Sequence, residues 1–348
     1  MQVDDDESAR HVLAQYAPRV RPLRMEPLGN RGGFSGAGIW RVVTEAGDFA
    51  LRRWPKPGLP RDRILGLHLL LEHLRLSGLS FVAVPLQTSN GTSLPQHVLH
   101  DWQLEPWLPG LADFRANPSP DRLRAAMIAL AQWHLAASRF VPAADSAEWF
   151  TSHANSPVPA VSERLTILDR ADVGQTGRIE ASISQSPDSA IRNLSRRILD
   201  LFKRGRSRVA DELRIVRNVT VRLQPCLRDV WHDHVLFVGE KVTGLIDPSA
   251  CRTESVASDL SRLIGSLVQD DRAAWDVALA EYQRHRPLTK DELALVALLD
   301  RSGVLLSGWT WLEWLHLERR PFAAAAAVEG RLKVIVERMR KLVDGEMG

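Results

Sequence analysis

Cys226-Leu-Arg-Asp-Val-Trp-His-Asp-His-Val-Leu-Phe-Val238, then Gly239-Glu240, then Lys241-Val-Thr-Gly-Leu-Ile-Asp247, is the stretch on which the fold turns. Two β-rich runs flank a two-residue turn whose first member is glycine, the signature of a hairpin closed by a primed turn. Pairing Val238 with Lys241 sets a register that puts His234 opposite Leu245 and His232 opposite Asp247. Directly opposed residues have α-carbons about 5 Å apart. The register therefore predicts Asp247 beside His232–His234, with Asp229 on the loop leading into the hairpin. Such a cluster suits phosphoryl transfer, which asks the protein for a metal held by hard oxygens and a carboxylate that orients the attacking hydroxyl. A surface hairpin with solvated charges is the alternative. Against it, Asp247 ends an apolar strand and precedes Pro248-Ser249, a placement that solvation does not require.

Upstream of residue 105 the chain reads as strands and turns. Asn30-Arg-Gly-Gly-Phe-Ser-Gly-Ala-Gly38 leads into strands at 39–44 and 49–53 around the turn Glu45-Ala-Gly-Asp48, which together make a glycine-rich hairpin. Gly32, Gly33, Gly36 and Gly38 let backbone amides approach phosphates closely, although turn geometry alone also favours glycine. No Gly-Lys-Ser/Thr follows, so the segment is not a P-loop. Arg52 or Arg53, on the adjacent strand, is in reach of nucleotide phosphates. Pro55, Pro57 and Pro60 break the chain before a helix at 64–76. Strands at 81–86 and 98–104 follow, around Ser89-Asn90-Gly91. They run into Glu105-Pro-Trp-Leu-Pro-Gly110, where two prolines make a stiff connector and not another strand.

Beyond the connector, apolar residues recur at helical spacing over 120–138, 161–169, 189–202 and 209–217, with closing helices at 260–283, 290–316 and 321–343. Residues 175–188 are polar and read as exposed. A chain of 348 residues, 45% hydrophobic and 25% charged, suits two packed units better than one small core. Its net charge of +3 is spread along the sequence, which argues against a dedicated nucleic-acid binder. Cys226 and Cys251 are the two cysteines, and they form no zinc-type pair. With no secretory segment and no apolar run long enough to span a bilayer, the expected setting is reducing and cytoplasmic, with no membrane partner.

Taken in order, these pieces resemble the aminoglycoside phosphotransferase family, which has the protein-kinase-like two-lobed fold. The likeness spans roughly residues 25 to 270. In that family a glycine-containing hairpin covers the nucleotide, a basic residue on the next strand meets its phosphates, and a proline-containing hinge joins the lobes. Gly32, Gly33, Ser35 and Gly36 stand in the first place and Arg52 of Phe-Ala-Leu-Arg in the second. Residues 105–110, with Glu105 and Trp107 at the nucleotide, stand in the third. The family's catalytic Asp, the position five residues later and the metal-binding Asp fall on Asp229, His234 and Asp247, and Ser258-Asp259-Leu260 resembles the acidic helix start downstream.

The departures from the family pattern bear on the chemistry. His-Gly-Asp reads Leu227-Arg228-Asp229, which sets a cation, Arg228, beside the catalytic carboxylate. His234 stands where the usual Asn would be a metal ligand, with Asp233 or water as the alternative oxygen donor, Asp-Phe-Gly becomes Asp247-Pro-Ser249, and the Glu that would pair with Arg52 is displaced to Glu72. The resemblance implies an α+β fold with a nucleotide-binding lobe at 1–104, a hinge at 105–110 and a catalytic and acceptor-binding lobe at 111–348. It also implies transfer of the γ-phosphate of ATP or GTP, with Mg2+, to a hydroxyl of a small molecule. Amino sugars, amino alcohols and homoserine-like acceptors all remain open, as does the oligomeric state. A degenerate nucleotide- or partner-binding protein is the first rival. A protein-Ser/Thr kinase is the second, although only residues 248–258 lie between Asp247 and Asp259, too few for an evident activation segment. Trp133-His134, and Trp309, Trp311 and Trp314, read as packing, and the two cysteines as buried free thiols.

Overall fold

The computed structural model describes residues 5–28, 37–171, 173–322 and 325–346. Elements along the first half are α1 (Asp5–Leu13), β1 (Arg24–Pro27), β2 (Gly38–Thr44), β3 (Gly47–Arg53), α2 (Arg61–Leu76), β4 (Gln96–His97), β5 (His100–Pro106), α3 (Pro120–Ala137) and α4 (Ala147–Phe150). The chain continues through β6 (His153–Pro157), α5 (Pro159–Arg170), α6 (Val173–Gln185), α7 (Ser189–Ile215), β7 (Thr220–Cys226), β8 (Val235–Val238) and β9 (Lys241–Leu245). It closes with β10 (Arg252–Glu254), α8 (Val256–Val268), α9 (Arg272–His285), α10 (Lys290–Leu312) and α11 (Ala325–Val343). Packing groups these residues into two units, one of Met1–Ser152 with His232–Thr253 and one of His153–Trp231 with Glu254–Gly348. That grouping differs from a division at residues 105–110, because α3 and the β8–β9 hairpin fall with the N-terminal sheet.

In the first unit the sheet order is β1-β2-β3-β5-β4, with every neighbouring pair antiparallel. Its inner face is apolar at alternate positions, and Trp40, Val42, Leu51, Trp102 and Leu104 close over Ala9, Val12, Leu13 and Tyr16 at the N-terminal helix. β5 runs on through Glu105 and Pro106, which pair with Ala50 and Phe49, so the connector begins two residues later than its prolines suggest. Val98 and Leu99 are not strand. Both have positive φ and form the two-residue turn between β4 and β5. Residues 81–86 do not form a ladder either. Pro85 removes a donor from the run, whose backbone bonds among the described residues are Leu86 N to Leu104 O (2.7 Å) and Leu245 N to Phe81 O (2.9 Å).

The deciding hairpin forms with Val238 opposite Lys241 as expected, but its register shifts between Leu236 and Phe237. Phe237 faces Val242 while Leu236 faces Gly244, so Thr243 is the extra residue of a bulge. The expected pairs His234/Leu245 and His232/Asp247 are therefore replaced: Val235 faces Leu245, and His232–His234 form a short 3-10 turn ahead of the strand. Thr243 Oγ1 donates to the carbonyl of Pro109, and Leu111 exchanges backbone hydrogen bonds with Phe237 (2.9 and 3.0 Å). Gly110, at φ +111°, has no room for a side chain there: a Cβ would stand 2.7 Å from the Phe237 carbonyl.

The second unit is mainly helical. β6 and β7 pair antiparallel, and α7, α8, α10 and α11 pack against one another. The expected helices at 189–202 and 209–217 are one helix, α7. Gly205 lies within it because a Cβ would press on Leu305 and Val343 at 3.2 and 3.3 Å, so the glycine lets α10 and α11 close in. Residues 260–283 divide at Gln269, which takes φ +54°, into α8 and α9. Residues 175–188, expected to be exposed and polar, are largely α6, whose Ile179 and Ile183 are fully buried. One helical stretch, Lys290–Leu317, is long and apolar enough to cross a membrane, against the expectation that no such run exists. It packs as a core helix: Leu295, Leu299, Leu305 and Trp309 are buried, and Trp309 stacks on Phe202 at 4.5 Å.

Candidate active site

Arg52 sits opposite Gln103 in the β3–β5 ladder and is 8% exposed. A buried guanidinium needs anionic partners. It has one in Asp247, whose Oδ1 accepts from Arg52 Nη1 at 3.0 Å. Burial works against the Arg52 charge, yet the Asp247 and Glu105 carboxylates outweigh it and hold the guanidinium above its ordinary pKa. Asp247 feels the reverse balance. Burial pushes its carboxyl up, but Arg52, the nearby His234 and a hydrogen bond with Ser249 bring it below the usual range, so it is ionised at neutral pH. Burial raises Glu105, only partly offset by Arg52 and by Gln103, whose Nε2 donates to Glu105 Oε2 at 2.7 Å.

Behind this pair lies a second layer. Gln103 Oε1 accepts from Trp54 Nε1 (2.9 Å) and meets His68 Nε2 (3.1 Å), while His68 Nδ1 contacts Ser93 Oγ (2.8 Å). Burial lowers His68 to about 4, which keeps it neutral and fits it to one donor and one acceptor bond. The helix thus offers His68 to the sheet. Glu72, the partner expected for Arg52, is exposed on α2, and the partner found is Asp247. Trp107 packs against Arg41, whose guanidinium lies 5.1 Å from the ring centre, and the Trp107 backbone N–H donates to the Asp48 carbonyl at 3.0 Å. Gly32, Gly33, Ser35 and Gly36 lie outside the described residues. Gly38 is described, and a Cβ there would strike the Trp40 ring at 2.8 Å, a packing reason for glycine.

In the second unit, Asp229 follows a backbone held by one buried carboxylate. Asp259, fully buried near the start of α8, accepts from Leu227 N at 2.7 Å and Arg228 N at 2.6 Å. Charge-assisted bonds to two successive amides fix the chain immediately before Asp229. Arg228 takes φ +62°, the left-handed region that glycine adopts freely and other residues enter at a cost of about 1–2 kcal/mol. Its guanidinium pairs with Glu163 and lies 3.6 Å from Glu254. Asp229 itself is half exposed and pairs with Arg262. Arg164, partly buried nearby, is lowered to about 10 first by desolvation and then by the charges of Arg262 and Arg228, against the pull of Glu254 and Asp300.

Arg262 was missed in the sequence, although it stands three residues after Asp259 on a helix start and so shares that face of α8. Gln103 and His68 gave no comparable signal, because their roles depend on long-range pairing. Trp133 and His134 are fully buried, Trp311 packs on Phe322 at 5.3 Å and Trp314 at 5.5 Å, and both cysteines are buried and form no disulfide.

The sequence matches the phosphotransferase enzyme family over residues 28–296. The chain belongs to that family. A homoserine kinase of Methylobacterium nodulans is 27% identical over 286 residues, covering 79% of this chain and 76% of that protein. Two solved structures share the protein-kinase-like fold. An aminoglycoside phosphotransferase from Alicyclobacillus acidocaldarius superposes with a TM-score of 0.64 at 15% identity, covering 99% and 96% of the two chains. Amicoumacin kinase hAmiN, in complex with AMP-PNP, Ca2+ and Ami, reaches 0.66 at 14% identity, with 99% and 94% covered. As a phosphotransferase of this family, the chain is a small-molecule kinase.

Proposed function

We propose that this phosphotransferase moves the γ-phosphate of ATP or GTP to a hydroxyl of a small molecule, with Asp229 as catalytic base and Asp247 as Mg2+ ligand. The observation that carries the reading is the clamp of Asp259 on the Leu227 and Arg228 amides, which leaves the next side chain, Asp229, half exposed on a fixed backbone. A carboxylate so placed can accept a hydrogen bond from the acceptor hydroxyl, and its proton as that oxygen bonds to the γ-phosphorus and the bond to the β-phosphate oxygen breaks. Asp247, held ionised by its surroundings, suits a hard divalent cation, and His234 stands beside it as the weaker candidate ligand. A bound Mg2+ would neutralise phosphate charge there. Arg52 would add its own charge, while Arg228 holds the base loop through Glu163 and Glu254.

In this reading residues 1–104 hold the nucleotide under Gly32, Gly33, Ser35 and Gly36, residues 105–110 with Glu105 and Trp107 form the hinge, and residues 111–348 take the acceptor, in a cytoplasmic setting. Likeness to a homoserine kinase puts homoserine-like alcohols first among acceptors, with amino alcohols and amino sugars next. The rival is a non-catalytic nucleotide binder, which the direct Arg52–Asp247 pair and the imidazole at His234 favour.

Nucleotide binding with and without Mg2+, and ADP release across those acceptors, separate the two. Asp229→Asn is expected to keep nucleotide affinity and lose at least about a hundredfold in turnover, and Asp247→Asn to lose the Mg2+ dependence of nucleotide binding. Absence of turnover with every acceptor, together with binding indifferent to Mg2+, decides for the rival.

A further inference from the structure

The guanidinium of Arg262 meets the carboxylate of Asp229, and the two side chains are 49% and 48% exposed. If Asp229 takes the acceptor's proton, as proposed above, the reacting hydroxyl comes within about 3 Å of that carboxylate. A guanidinium bound to the same carboxylate then borders the acceptor. An ion pair this exposed contributes only about 0–1 kcal/mol, so exchanging one carboxylate partner for another costs little. Arginine's planar fork suits such an exchange, because it can hold a carboxylate through two parallel hydrogen bonds.

The other guanidiniums close by are committed. Arg228 is engaged by Glu163 and lies beside Glu254, and Arg164 is partly buried and donates to Ser302 Oγ at 2.5 Å and to the Leu299 carbonyl. Arg164, Arg228 and Arg262 also lie close enough for the latter two to act on the charge of Arg164. Carboxylates offset these cations, since Glu163 and Glu254 meet Arg228 and Glu254 and Asp300 act on Arg164, so the case for an anionic acceptor rests on the exposed, exchangeable guanidinium of Arg262.

We propose that Arg262 is a specificity-determining residue that binds a carboxylate of the acceptor, so that the substrate class is hydroxy acids, foremost γ-hydroxy α-amino acids. The inference rests on the assignment of Asp229 as the base.

A matched pair of acceptors tests it: homoserine, and the aminopropanol left when its carboxylate is removed. Both are compared in the wild type, Arg262→Gln and Arg262→Lys, with calorimetric affinity for homoserine measured beside kcat and KM. The expected result is a preference for homoserine of about tenfold or more in kcat/KM, equivalent to at least about 1.4 kcal/mol. Arg262→Gln should shrink that preference at least tenfold through KM for homoserine, and Arg262→Lys should restore part of it. Equal use of both acceptors by the wild type overturns the proposal. So does an equal loss of kcat on both in Arg262→Gln, which would leave Arg262 only a positioning group for Asp229. If no phosphate is transferred, the catalytic reading fails separately, and calorimetry still decides. Homoserine bound by the wild type and at least tenfold more weakly by Arg262→Gln upholds the anion site, and equal or absent binding overturns it.

Discussion

Arg52 with Asp247 and Arg262 with Asp229 are the same pair of charges in two settings. The first has side chains 10% and 22% exposed and is backed by Glu105, Gln103 and His68, whereas the second is about half exposed on both sides. In the low-dielectric setting each charge depends on the other, since stranding either one inside the fold is costly. In the wet setting solvent replaces either partner readily. The contrast separates a pair that fixes a strand end from a pair that a ligand can remake.

The widest separation should appear on removing one partner from the buried pair. Arg52→Ala leaves Asp247 and Glu105 without their shared cation and is expected to cost about 3–5 kcal/mol in urea unfolding. A loss below 1 kcal/mol would erase the distinction between the two pairs.

Next comes the layer behind the buried pair. Folded His68 is lowered to about 4 from an ordinary 6.5, so the unfolded chain binds the extra proton first. Its contribution to stability is present above 6.5 and lost as pH falls toward 4, by about 3 kcal/mol. His68→Gln should flatten unfolding free energy across that window, and an unchanged slope would remove His68 from the network that supports Arg52. The smallest effect belongs to the exposed pair. Arg262→Gln should alter stability by no more than about 1 kcal/mol and respond to salt, whereas the Arg52 pair should be nearly insensitive to it.

How much of this was legible follows the range of each interaction. The hairpin, its turn and the strand carrying Arg52 are local patterns of alternation and glycine, and they read directly from sequence. The clamp of Asp259 was half legible: its place on an acidic helix start was clear, but its hold on Leu227 and Arg228 depends on a loop 31 and 32 residues away. The bond between Arg52 and Asp247 spans 195 residues and could not be counted out from either side. The missing helix break at Gly205 and the burial of Ile179 and Ile183 were hidden for a related reason, since polarity along the chain does not reveal which neighbours will cover a face.

The bulge at Thr243 gives the length of β9 a meaning of its own. Side chains alternate faces along a strand, so one extra residue would reverse the sense of everything after it unless a bulge absorbed it. Here Val242 faces Phe237 and Gly244 faces Leu236, so the residues past Thr243 keep the faces that β8 dictates. Deleting Thr243 would leave those pairs standing and remove the hydroxyl that joins the hairpin to the Pro109 carbonyl. The extra residue is a tether, fastening the strand that leads to Asp247 to the segment that follows β5.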